Sequence, residues 1–135
     1  DTNIEKDERS HRINAGQDFQ TNDERVFAVG DCALIDQPTE DPAPPTAQAA
    51  WQAAEVAGRN ITRAIRGQPL ERWTFDDKGT VVSVGEASVA HDVYVVPFVD
   101  TFGGLPATLL KKAIAANWIR DIAGTGRALD AWSDM

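Results

Sequence analysis

Residues 25–33, Arg-Val-Phe-Ala-Val-Gly-Asp-Cys-Ala, constrain the fold of this chain more than any other stretch. The run 26–29 is short, continuous and apolar, which predicts a strand of a buried parallel sheet. It stops at Gly30-Asp31 and continues into small residues. A strand that ends in glycine and a carboxylate lets backbone approach a ligand closely and offers one acceptor to its hydroxyls. Shortly afterwards Pro44-Pro45-Thr46-Ala47-Gln48 opens a helix, with Thr46 as N-cap and Gly67 as the stop. Ala47, Ala50, Trp51, Ala54, Ala57, Ile61 and Ile65 recur there at helical spacing, and Gln48, Gln52, Glu55 and Arg59 form a separate polar stripe. The alanines would allow this helix to lie close to a sheet or a ligand.

Elsewhere the pattern is shorter. Residues 1–12 are polar without periodicity and read as a frayed edge. Residues 13–19 suit a short strand broken at Gly16, and 21–24 a turn. Residues 34–45 are a loop rich in proline and acids. Beyond Gly67-Gln68-Pro69, residues 75–79 have turn chemistry, 80–84 read as a strand, and 87–90 return after Gly85. A further strand fits 93–99, weakened by Pro97. Pro106 begins an amphipathic helix that runs to about Ile122 and halts at Gly124. Its apolar face carries Leu110, Ile114, Trp118 and Ile122, with Ala107 and Ala113 beside it. The expected fold is α+β in two parts, residues 1–67 and 68–135.

Composition narrows the function. The 135 residues carry a net charge of −8, which makes nucleic acid an unlikely partner because phosphate contacts need the opposite sign. Dispersed acids also suit a salt-adapted, halophilic protein. The excess lies wholly in residues 1–99; in 100–135 four acids, Asp100, Asp121, Asp130 and Asp134, balance Lys111, Lys112, Arg120 and Arg127. That less acidic tail favours contact with an anionic membrane surface. The single cysteine, Cys32, excludes an internal disulfide, fits a reducing compartment and reads as a small buried residue. The polar N-terminus has no signal-peptide pattern, and no apolar run approaches the roughly 18 residues of a spanning helix. His11 and His91 fit no metal-ligand spacing, and Trp51 reads as a packing residue.

Taken together, Val-Phe-Ala-Val-Gly-Asp-Cys-Ala and Ala47-Gln48-x-x-x-Gln52 resemble the second flavin motif and the following helix of the type II NADH dehydrogenases. These are single-chain, FAD-dependent NADH:quinone oxidoreductases of the flavin disulfide reductase superfamily. Residues 79–85, Gly-Thr-Val-Val-Ser-Val-Gly, resemble the strand that opens the family's C-terminal region. The resemblance covers residues 13–123, corresponding to roughly the final third of a family enzyme. No Gly-x-Gly-x-x-Gly occurs, so the NADH site is expected to lie outside this chain.

The resemblance implies a role for each motif residue. Gly30 and Asp31 would bind the ribityl and pyrophosphate part of FAD. Ala47 and Gln48 would sit by the flavin ring, where a helix N-terminus can stabilise an electron-rich group. Gln52 would line the quinone approach. The C-terminal helix would meet the membrane peripherally, on the cytoplasmic face, with Lys111, Lys112 and Arg120 toward headgroups; a lysine pair departs from the family's more apolar pattern there. The chain would then be a remnant of an FAD-binding domain joined to a small antiparallel sheet. Alone it is expected to be inactive, and its bared edges and apolar surface to favour a homodimer. Competing readings are a sulfide:quinone or other flavin disulfide or ferredoxin reductase, and a non-catalytic membrane-surface or dimerisation module.

Overall fold

The computed structural model describes residues 3–84, 87–93 and 101–135. The architecture is α+β, with two helices, a parallel strand pair and a three-stranded antiparallel sheet. It divides into two compact units, residues 1–77 and 78–135.

In the first unit, β1 (Ile13–Ala15) runs parallel to β2 (Ala33–Ile35), with Ile13 opposite Ala33 and Ala15 opposite Ile35. Helix α1 (Ala47–Ile65) is capped at its start by the Thr46 hydroxyl, which accepts from the Ala49 N–H at 3.2 Å. It ends in a Schellman arrangement. Gly67, at φ +64°, donates to Ala64 O, and the Gln68 N–H donates to Arg63 O. Both helix boundaries expected from the sequence are therefore found.

Three expectations need correction here. Residues 26–29 do not form the parallel strand. Phe27 makes only an isolated antiparallel bridge to Gln20, flanked by bonds from Thr21 N to Val26 O and from Ala28 N to Phe19 O. The Thr21–Arg25 turn folds this run back on residues 19–21, so its hydrogen bonds are satisfied locally and the parallel ladder starts only after Gly30-Asp31. The buried face of α1 is also rotated from the predicted one: Ala49, Ala53, Ala57 and Asn60 are buried, while Trp51, Ile61 and Ile65 are exposed, Ile65 by 82%. Residues 3–12 are not frayed. Asp7 caps a turn, accepting from the Ser10 N–H and hydroxyl, and Lys6 bridges Ile13.

The core of this unit is Phe19, Ile35 and Trp73 set among alanines from the strands, the loop and α1, with Phe75 packed at its edge. Phe19 and Trp73 rings lie 5.6 Å apart, and Trp73 and Phe75 rings 6.3 Å. Small residues on α1 let it approach the strands, and the aromatics fill what remains. Residues 70–77, grouped by sequence with the second half, instead run along α1. The buried Asn60 amide bonds to both the Glu71 carbonyl and the Glu71 N–H, at 2.8 Å each. Trp73 N–H adds a bond to Gln17 O.

The second unit holds β3 (Thr80–Val84), β4 (Ala87–His91) and β5 (Thr101–Gly103), paired in the order β3-β4-β5, followed by α2 (Leu105–Asp134). The expected hairpin of 80–84 with 87–90 is present, with Val82 opposite Val89. The expected strand 93–99 falls, beyond Val93, outside the described residues. Gly79, at φ +90°, is required where β3 begins, since a Cβ there would collide with Asp92 O. Gly124 breaks α2 as expected, at φ +86° and ψ 167°, but helix resumes beyond it to Asp134. At the start of α2, Ala107 is buried and Leu110 packs with Val81, Ala90 and Phe102, and beyond the break Ala128 is buried as well. Ile122 is 80% exposed. No helix among the described residues is long and apolar enough to cross a membrane.

Candidate functional site

The Gly30-Asp31 turn and the start of α1, which carries Ala47, Gln48 and Gln52, come together in the first unit. Val29 is extended, and Gly30–Cys32 forms one 3-10 turn closed by the Ala33 N–H donating to Gly30 O. Gly30 adopts φ +76°, a conformation that glycine takes at no steric cost. A Cβ built on it would lie 3.8 Å from Ala50 Cβ, so the turn sits beside the opening turns of α1. Crowding does not demand glycine there; backbone conformation does.

Asp31 is exposed and makes no hydrogen bond or ion pair among the described residues. Its carboxylate is thus available to hydroxyl donors. Ala47 and Gln48 occupy the positive end of α1, where backbone N–H groups point out of the helix. Gln48 Oε1 accepts from Gln52 Nε2 at 3.3 Å.

Gln52, expected to line the quinone approach, is hydrogen-bonded to its surroundings. Its Nε2 donates to Asp76 O at 2.7 Å, and its Oε1 accepts from the Asp76 N–H at 3.0 Å. Together with the Gln48 contact, both amide hydrogens are engaged. The amide serves as a rung between α1 and the segment 70–77. Cys32 departs from expectation: it is exposed, with Sγ 3.4 Å from Val29 O, because the 3-10 turn faces it outward. Trp51 is half-exposed and not a core residue. No group of three or more His, Cys, Asp or Glu among the described residues could hold a metal ion.

Sequence reasoning missed Arg12. Its Nη2 donates to Ala33 O and, at 3.1 Å, to Ala43 O, which joins the residue after the Gly30 turn to the approach of α1. The only available signal was a cation directly before the apolar residue of a strand, inside a stretch too polar to show periodicity. Asn60 was missed for a related reason: a buried asparagine falls at an apolar position of the helix pattern.

Charges nearby act on structure. Glu71 lies between Arg59 (3.0 Å) and Arg63 (2.8 Å), whose hydrogen bonds hold its carboxyl below the usual range. Asp23 is lowered to about 2 by its hydrogen bonds to Arg25.

A scan against family models finds no match. Comparison with curated proteins does find relatives. The Type II NADH:quinone oxidoreductases of Staphylococcus aureus strains COL and MW2 are each 36% identical to this chain over 119 residues. This chain is similar to part of a type II NADH:quinone oxidoreductase. The match takes in 87% of the chain but only 29% of those relatives' length. It agrees with the resemblance carried by the Gly-Asp and Ala-Gln motifs, and is consistent with a C-terminal segment of such an enzyme.

Proposed function

We propose that this chain is the C-terminal segment of a FAD-dependent NADH:quinone oxidoreductase and supplies one wall of its flavin site. The observation that carries this reading is the pairing of the Gly30-Asp31 turn with the N-terminal end of α1. An exposed carboxylate without a partner, a left-handed glycine and a helix N-terminus form a donor and acceptor set that fits a sugar-alcohol chain, a phosphate and an electron-rich ring.

FAD, when bound, would accept a hydride from NADH and pass electrons to a quinone. Asp31 would accept hydrogen bonds from ribityl hydroxyls, while Gly30 admits the backbone to the pyrophosphate. Ala47 and Gln48 would direct the helix's positive end toward the ring. Gln52 would meet quinone by exchanging its Asp76 or Gln48 bond, since both of its donors are engaged. The exposed apolar residues of α2, with Lys111, Lys112 and Arg120, would rest on the cytoplasmic face of a membrane. NADH binding belongs to sequence outside this chain, so the 135 residues alone are expected to be inactive, and a homodimer is the expected assembly.

The test is a titration of this chain with FAD, followed by flavin fluorescence. Saturable quenching that weakens in Asp31→Ala is the expected outcome. Quenching equal in Asp31→Ala would remove Asp31 from the site. In the full-length enzyme, Gln52→Ala should raise the quinone KM more than it slows flavin reduction by NADH; equal losses would refute the quinone role.

A further inference from the structure

We infer that Arg12 is the positioning residue of this site, holding the Gly30-Asp31 turn and the start of α1 in one fixed arrangement. Its link to flavin rests on the reading proposed above; its link to the two segments does not.

The guanidinium bonds to two particular carbonyls. One is Ala33 O, on the residue whose N–H closes the Gly30 turn. The other is Ala43 O, three residues before the Thr46 cap, on a residue whose own N–H donates to Ile35 O. Besides the Ala43–Ile35 backbone bond, the proline-rich loop between these carbonyls is spanned by the Arg12 side chain, which bonds to both. Arg12 is itself anchored: its carbonyl accepts from the Asp7 N–H, and it directly precedes β1, whose Ile13 is paired with Ala33. Three segments thus converge on one side chain.

This placement has a cost. Arg12 Nε is buried and has no hydrogen-bond partner among the described residues. Arg12 lines a small cavity of about 10 Å³ together with Gly30, Ala43, Ala49 and Ala50, residues from both halves of the candidate site. A partly buried cation with one unmatched, buried donor is unfavourable unless its remaining bonds offset it. A lysine would supply charge without the planar group that spans two carbonyls, and an apolar residue would supply neither. Arg12 is thus fitted to a joining task, and it acts through backbone without touching the proposed ligand.

The experiment uses the complete 135-residue chain as wild type, Arg12→Met and Arg12→Lys. Amide hydrogen exchange is read at residues 30–33 and 43–50, with 58–65 and 105–123 as internal references, and FAD affinity is read by flavin fluorescence. Arg12→Met is expected to speed exchange about ten-fold in 30–33 and 43–50 alone. It should also weaken FAD about ten-fold, and Arg12→Lys should fail to restore either. Unchanged exchange in both segments, or an equal rise throughout residues 3–77, overturns the inference, the latter because it marks a merely structural role. If Arg12→Met does not fold, Arg12→Lys decides by the same two criteria. A wild-type chain that binds no FAD defeats the flavin half-site reading, while exchange still decides the role of Arg12.

Discussion

In residues 1–77 the loops are tied to α1 and the strands by side chains that bond to backbone, whereas in residues 78–135 a small apolar cluster joins the start of α2 to the sheet. Arg12, Gln52 and Asn60 each bond to main-chain atoms of a segment distant in sequence. The second unit has the Ser83–Ser88 hydroxyl pair at 2.7 Å and a core of Ala90, Val93 and Ala107 with three flanking residues. Polar cross-links are worth little each in net stability but fix relative position, because an unmade buried bond is costly. The first unit therefore holds its turns in place without long ladders. The second leaves apolar side chains of α2 uncovered.

This contrast can be broken most forcefully at Trp73. Its ring joins Phe19 and Phe75, and Phe19 is 0% exposed. Trp73→Ala should destabilise the first unit by about 3–5 kcal/mol, read as a shift in the urea midpoint by far-UV circular dichroism. Ile122→Ala in the second unit should fall within about 0.5 kcal/mol of wild type. Comparable losses at the two positions would mean that α2 is packed in solution in a way its exposure denies.

Asn60→Ala comes next. The amide donates to Asp18 O and Glu71 O and accepts from Glu71 N–H, with the residue wholly buried. Removing it leaves those backbone groups unmatched, for a loss of about 1–3 kcal/mol and faster amide exchange at residues 71–73. A loss confined to stability, with no local exchange change, would show that Asn60 does not pin the segment.

How much of this could be read beforehand depends on the range of the physics involved. The ends of α1 were legible because Thr46 and Gly67 act within a few residues, through a side-chain acceptor and a left-handed backbone. So were the β3–β4 hairpin and the break at Gly124. The buried face of α1 was not. Alanine is apolar on every side, so the large residues Trp51, Ile61 and Ile65 set the predicted stripe while the strands select the face that is small enough to approach. The parallel strand was misplaced because a four-residue apolar run cannot reveal whether its partner lies far off or just across a turn. The closeness of the Gly30-Asp31 turn to the start of α1 was suggested only by motif resemblance, not by any local pattern. Gln52's bonds to Asp76 and the Arg12 contacts were not legible, since both depend on segments more than 20 residues away.

A smaller effect is expected at the start of α1. Thr46→Ala removes the acceptor for Ala49 N–H and should cost about 1 kcal/mol in the urea midpoint, with Thr46→Ser close to wild type. The same variant sharpens the comparison, because α2 begins at Gly104 with no side-chain cap. Gly104→Ser would offer a capping hydroxyl but must adopt φ +70°, so strain should cancel any gain. Net stabilisation by Gly104→Ser would show that the start of α2 is free to rearrange, as expected of a unit with few cross-links.

The smallest expected effect is on acid stability, and its sign follows from Glu71. Arg59 and Arg63 lower its carboxyl from an ordinary value of 4.5, so the folded chain releases that proton more readily than the unfolded chain. The resulting stabilisation is fully present above pH 4.5 and is lost as pH falls through the lowered value. Asp23 adds a second contribution of the same sign, lost between its ordinary value of 3.8 and about 2. Both groups are solvent-accessible, so salt should shrink the effect. The urea midpoint of the first unit should be flat from pH 7 to 5 and decline below that. Glu71→Gln should reduce the steepness of the upper part of the decline and Asp23→Asn that of the lower part. Residues 101–135 carry one described acid–base pair, Arg120 with the adjacent Asp121, whose neighbours in sequence approach each other in the unfolded chain as well. Acid loosening should therefore appear first in amide exchange of residues 59–73 and leave α2 unaffected, and simultaneous loosening of both would refute the assignment of acid sensitivity to the Glu71 cross-link.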